Sequence, residues 1–169
     1  ALTFGEATKF SSDLLEADKA YRATVRFGVR TTTADAEGEV IETRPVQLAR
    51  ADLDAVLSRF TGSIQQVPPM HSALKRDGRA LYEYAREGVE LERAPRTVTI
   101  HRLTCVGFDG AFAGLDVVCS KGTYVRVPAE DLGAALGCGA HLAALRRTRV
   151  GALSLDGSVT LDELAAMTD

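Results

Sequence analysis

The residues best suited to chemistry in this 169-residue chain lie at 119–126, Cys-Ser-Lys-Gly-Thr-Tyr-Val-Arg. An apolar run (Leu115, Val117, Val118) leads into a lysine, a glycine, a phenol and a guanidinium. Gly122 lacks a Cβ, so the backbone there can turn or approach a ligand closely. Tyr124 and Arg126 are two residues apart, and an extended chain points both to one face. An aromatic ring beside a permanent cation suits a planar base next to an anion. The plainer alternative, which spacing alone favours, is an amphipathic edge strand with a surface arginine.

Other chemistries find less support. His71, His101 and His141 show no metal-ligand spacing, so no metal is expected. Cys105, Cys119 and Cys138 are odd in number and widely spaced, which suits a reducing cytosol rather than a disulfide framework or a zinc knuckle. With 46% hydrophobic and 25% charged residues, the chain has the composition of one globular domain, or most of a larger one. No apolar run approaches the roughly 20 residues of a membrane span. Residues 1–5 lack the basic region of a signal peptide. The net charge of −3 does not announce nucleic-acid binding, yet basic residues gather at Arg22-Arg26-Arg30, Lys75-Arg76-Arg79 and Arg146-Arg147-Arg149. Acidic residues gather at Asp35-Glu37-Glu39-Glu42 and Asp162-Glu163. Local basic clusters can make a phosphate-binding face on an acidic protein, and each can equally be a solvated surface.

The elements that must position these residues follow from periodicity and punctuation. Phe10, Leu14 and Leu15 predict a short helix after Gly5. Residues 19–27 alternate, with Tyr21, Ala23, Val25 and Phe27 on one face, and predict a half-buried strand. Residues 31–38 are turn-rich and 39–43 return as a second strand. Leu53, Val56, Leu57 and Phe60 predict an amphipathic helix over 52–60, stopped by Gly62. Pro68-Pro69 keep 65–74 extended, Asp77-Gly78 marks a turn, and 80–87 forms a short helix closed by Gly88. Residues 88–96 are loop-like. Strands at 97–108 and 112–119 flank an Asp109-Gly110 hairpin turn. Pro128 starts a helix through Leu136, and Thr160-Leu161-Asp162-Glu163 caps a last one. The sum is an α+β domain with a largely antiparallel mixed sheet and flanking helices.

At this point an ordered set of motifs becomes visible. It comprises Gly5-Glu6-Ala7-Thr8-Lys9-Phe10, Asp18-Lys19-Ala20-Tyr21-Arg22, 66–75 (Gln-Val-Pro-Pro-Met-His-Ser-Ala-Leu-Lys), 81–88, 119–126, Asp131-Leu132-Gly133, 136–142 and Leu145-Arg146-Arg147-Thr148. In order and over nearly the whole chain, it resembles the bacterial TruB family of tRNA pseudouridine synthases, which act on uridine 55 of the T loop. The resemblance implies a pseudouridine synthase catalytic-domain fold over 1–169, incomplete at its N-terminus. It implies a thumb-like RNA-binding insertion at 70–96 and no PUA-like C-terminal domain.

The resemblance also implies roles. Tyr21 would stack on the flipped uracil, and Arg126 would hold the catalytic aspartate. Tyr124 and Leu145 would complete the base pocket; by composition alone Leu145 is a buried leucine. Lys9, Lys75, Lys121, Arg146 and Arg147 would meet RNA, chiefly its phosphates. The family's nucleophile lies in a Gly-His-x-Gly-x-Leu-Asp-Pro stretch that is not in this sequence and would precede Ala1, so the fragment is expected to be inactive. The resemblance further implies a cytoplasmic protein that isomerises uridine in tRNA without cofactor, metal, membrane or obligate protein partner. A second reading is a module that binds structured RNA without catalysis. A third, the RNA-guided archaeal or eukaryal relative, fits less well because Cys119-Ser120-Lys121 looks bacterial.

Overall fold

The computed structural model describes residues 5–167; residues 1–4 of the start read above, and 168–169, lie outside the described residues. A 3-10 turn at Gly5–Phe10 runs into α1 (Ser11–Glu16). Strands β1 (Lys19–Phe27), β2 (Val29–Thr31) and β3 (Val40–Thr43) follow. Next come α2 (Arg50–Leu57), a 3-10 turn at Ser58–Phe60 and β4 (Gly62–Gln66). The predicted helix over 52–60 is therefore real but changes pitch before its end. Residues 70–96 carry a small hairpin, β5 (Lys75–Arg76) and β6 (Arg79–Ala80), then α3 (Leu81–Arg86). Strands β7 (Arg96–Phe108) and β8 (Phe112–Cys119) form the predicted hairpin, whose turn is closed by Asp109 Oδ1 accepting from the amides of Ala111 and Phe112. The chain finishes with α4 (Arg126–Ala135), β9 (Ala140–Val150), β10 (Leu153–Ser154) and α5 (Leu161–Ala166). At α5 the predicted capping box is present, with Thr160 and Glu163 exchanging hydrogen bonds.

Six strands form one sheet in the order β10-β9-β1-β8-β7-β4, every adjacent pair antiparallel. β2 and β3 form a separate ribbon. Alternation along β1 puts Ala23, Val25 and Phe27 on one face with Leu115 and Val117 of β8. Leu53 and Leu57 of α2 and Ala129 and Leu132 of α4 close over them into one core. Leu53 and Leu132 are fully buried, each stabilising the fold by about 1.5–3 kcal/mol. The opposite face carries exposed Arg22, Arg26 and Arg102.

The structure corrects the reading of 119–126. The strand stops at Cys119, the chain turns through Gly122 at φ +77°, and a helix begins at Arg126. Tyr124 and Arg126 do not share a strand face, and β8 lies between β1 and β7 rather than at an edge. Pro128 is the third residue of α4, not its start. Its missing N–H costs nothing there, because the first four helical N–H groups have no intrahelical acceptor.

A second departure is β9, an eleven-residue strand that periodicity does not reveal. Its register against β1 slips twice, skipping Thr148 and Ala143. Each bulge breaks the alternation a sequence pattern needs, and re-aims the side chains beside it. Between the slips, Leu145 opposes Ala23 and Arg147 opposes Tyr21, while Arg146 opposes Arg22 on the other face.

Candidate nucleotide-binding site

A cleft of about 750 Å³ opens where β1, β9, the start of α4, the 33–37 loop and the 70–96 segment meet. Tyr21 lies at the end of the core-facing row of β1, half-buried, and the Arg147 guanidinium sits 5.4 Å from its ring centre. Tyr124 lines the same cleft, held by its backbone rather than by a strand. Its N–H donates to Gln66 Oε1 at 2.7 Å, and its carbonyl accepts from Gln66 Nε2 at 3.2 Å. Gln66 is 2% exposed. Gln66→Ala would strand both backbone groups, so a loss of about 2 kcal/mol in denaturant unfolding is expected.

Arg126 forms the floor. Its Nη1 donates to Asp35 Oδ2 at 2.8 Å and to the Thr33 carbonyl at 3.4 Å, and its Nη2 donates to the His71 carbonyl at 2.7 Å. Arg126 and Asp35 side chains are 20% and 21% exposed, so this ion pair is largely shielded from water. Asp35 is oriented in turn by the Thr33 hydroxyl, at 2.5 Å on Oδ1, and by the Glu37 amide. The loop that presents it is pinned by Thr31 Oγ1 on the Asp35 carbonyl and by the Leu142 amide on the Ala34 carbonyl. Ala34 takes φ +59°, a conformation a non-glycine residue adopts only under surrounding constraint. Arg30 fastens this region to α4 by pairing with Glu42 and Glu130. Arg44 first and Arg30 second hold the Glu42 carboxyl below its usual range.

The structure brings together Tyr21, Tyr124, Arg126, Leu145 and Arg147. Leu145 is 46% exposed at the cleft wall, not buried as its composition suggested. Lys9, Lys75, Lys121 and Arg146 do not line the cleft. Lys9 pairs with Glu6, and Lys121 pairs with Glu16. Of the basic gatherings, Arg22 pairs with Asp116 and Arg79 with Glu83 and Glu87. Asp35, Thr33 and Gln66 were missed as site residues. Asp35 read as one of four nearby acids, and only its place in a turn between two β segments set it apart.

Aromatic rings around a shielded guanidinium and carboxylate can hold a flat ring and orient a charged or sugar group beside it. The Cys119 thiol is 1% exposed, and burial pushes its pKa up, so it is no thiolate nucleophile. Among the described residues, no group of three or more His, Cys, Asp or Glu could hold a metal ion, and no helix is long and apolar enough to cross a membrane.

Residues 1–125 match the family model described as TruB family pseudouridylate synthase (N terminal domain), and residues 126–169 match the tRNA pseudouridylate synthase B C-terminal domain. The chain is 64% identical over 168 residues to the tRNA pseudouridine synthase B of Burkholderia lata, covering 99% of this chain and 52% of that protein. It is 61% identical over 172 residues to that of Ralstonia nicotianae, covering 99% and 55%. The chain thus spans about half the length of these relatives. Among solved structures, a Cbf5-Nop10-Gar1 complex matches with a TM-score of 0.71 and 27% identity, over 95% of this chain and 39% of the other.

Proposed function

Because the chain belongs to the TruB family of pseudouridylate synthases, we propose that it forms the base-binding part of an enzyme that converts uridine to pseudouridine in the T loop of tRNA. The observation that carries this reading is that the Tyr21–Arg147 stack and the Arg126–Asp35 pair line one cleft. The reaction breaks the C1′–N1 bond of uridine, turns the uracil and forms C1′–C5. The C5 proton leaves and N1 gains one. Atoms and electrons balance within the nucleotide, so no oxidant, donor or cofactor is required.

Each residue has a part in that sequence. The target uridine must leave its loop stack, and the Tyr21 ring offsets part of the unstacking. Tyr124 and Leu145 wall the base in, excluding water from the separated uracil and sugar. Arg126 pairs with a carboxylate and aims it at the sugar side of the base. In this structure that carboxylate is Asp35, while family resemblance assigns the reacting one to a Gly-His-x-Gly-x-Leu-Asp-Pro stretch. Arg147 meets a phosphate, as do Lys9, Lys75, Lys121 and Arg146 outside the cleft, positioning the RNA without reading its sequence. Thumb-like docking of 70–96 completes the grip. A tRNA substrate fits a cytoplasmic protein that acts without an obligate protein partner.

The test is tritium release from a T-arm hairpin carrying 5-tritiated uridine at the target position. Release by this chain alone places the reacting carboxylate among its own residues, with Asp35 first in line. Release only from a form that carries the Gly-His-x-Gly-x-Leu-Asp-Pro stretch places it there. Absence of release from both forms sinks the isomerase reading. The second reading is a structured-RNA binding module without catalysis. Tight binding without release from either form would support it. In both readings, affinity falls linearly with salt on logarithmic axes, and Arg147→Ala reduces the slope by about one. A nitrocellulose-filter titration at several salt concentrations checks this.

A further inference from the structure

Three arginine–tyrosine stacks occur among the described residues, and they are not alike. Arg79 lies 4.6 Å from the Tyr84 ring centre, but it is neutralised by Glu83 and Glu87 and does not line the cleft. The Arg147–Tyr21 and Arg86–Tyr82 stacks, at 5.4 and 5.1 Å, both line it. Among the described residues neither Arg147 nor Arg86 has a carboxylate within ion-pair distance. An unneutralised guanidinium beside an aromatic face, in a cleft, is equipped to meet a ring and an anion together.

The two stacks stand on different supports. Tyr21 and Arg147 oppose one another on β1 and β9. Tyr82 and Arg86 are one turn apart on α3, in the insertion. That helix is not free to drift. The Leu81 amide donates to the Leu74 carbonyl and the Tyr82 amide to the Ser72 carbonyl, next to the His71 carbonyl that Arg126 holds. The second stack is thus built into the same framework as the floor of the site. The cleft is also larger than one pyrimidine nucleotide fills.

We propose that Tyr82 and Arg86 form a second stacking platform, which takes the base of a nucleotide adjacent to the one on Tyr21, with Arg86 meeting its phosphate. The proposal rests on the reading of the cleft as an RNA site. Intrahelical packing alone does not call for an unneutralised cation facing an open cleft, and the Arg79–Tyr84 stack shows how the same helix neutralises one elsewhere.

The experiment uses T-arm hairpins with 2-aminopurine at each nucleotide flanking the target uridine, titrated with the chain and with Y82L, Y82F and Y21L. At one flanking position binding should quench the emission, because the reporter stacks on a ring. Y82L should abolish that quench and weaken binding about tenfold. Y82F should behave as the parent, and Y21L should leave the quench in place. A hairpin abasic at that position should bind the parent and Y82L equally. A quench that survives Y82L, or an equal Y82L penalty on the abasic hairpin, overturns the platform and leaves the Tyr21 site standing. A hairpin bound by the parent no more tightly than stem-disrupted RNA overturns both.

Discussion

Replacing Arg126 with alanine in a form that isomerises uridine is expected to cut single-turnover pseudouridine formation by at least about a hundredfold, while hairpin affinity falls less than about tenfold. The asymmetry follows from where Arg126 sits. Its guanidinium is bound to Asp35 and to the Thr33 and His71 carbonyls, whereas Lys9, Lys75, Lys121 and Arg146 do not line the cleft. On the proposed reading, its loss removes the orientation of the carboxylate it pairs with, which matters most as the glycosidic bond breaks. The alanine variant also leaves Asp35 in a shielded site without its partner, and about 2 kcal/mol of stability should go with it. Arg126→Lys separates these effects. An ammonium keeps the charge but cannot reach Asp35 and the His71 carbonyl with a planar fork. Lysine should therefore recover most of the stability and little of the rate. Undiminished turnover in either variant would remove Arg126 from the mechanism.

The elements that sequence reading located share a feature: local pattern and tertiary role agree. In β1 the alternation of Ala23, Val25 and Phe27 is the burial pattern itself, and at α5 Thr160 and Glu163 carry their cap within four residues. Local pattern misled where a bulge or a turn intervened. Residues 119–126 read as a continuation of β8 because nothing in their types marks the αL turn at Gly122 as a strand end rather than a kink. β9 was hidden because two bulges bring Leu142, Leu145 and Arg147 to their places at uneven spacing. The motif set nonetheless pointed to Tyr21, Tyr124, Arg126, Leu145 and Arg147, and the cleft unites all five. What holds them was not legible. Asp35 lies 91 residues from Arg126 and Gln66 lies 58 from Tyr124. Hydrogen bonds at such separations leave no periodic trace, and a buried glutamine before two prolines reads as loop.

Gly133→Ala is expected to destabilise the fold by about 3 kcal/mol, although alanine is the better helix former. In an open helix the exchange would gain close to 1 kcal/mol. Here a Cβ at 133 would stand 2.2 Å from the Ala140 amide nitrogen, 2.3 Å from the Gly139 carbonyl carbon and 2.5 Å from the Ala140 Cβ. Two of those atoms belong to the backbone, and no rotamer change relieves them. The Gly139 amide also donates to the Gly133 carbonyl at 2.9 Å, so α4 and the start of β9 are locked at this distance. Relief requires α4 to lift from β9. Arg126 at the head of α4 would then move against Tyr21, Leu145 and Arg147, which ride on β1 and β9. The melting temperature should fall by roughly 6–12 °C for a chain of this size. Hairpin binding should weaken well below that melting point, because the cleft walls separate before the core fails. Gly137→Ala supplies the control. A Cβ there meets nothing within 4 Å, and only the αL strain at φ +76° remains. A cost of about 1 kcal/mol with RNA binding intact is expected. Equal losses in the two variants would show that backbone strain, rather than the α4–β9 contact, sets the stability of this corner.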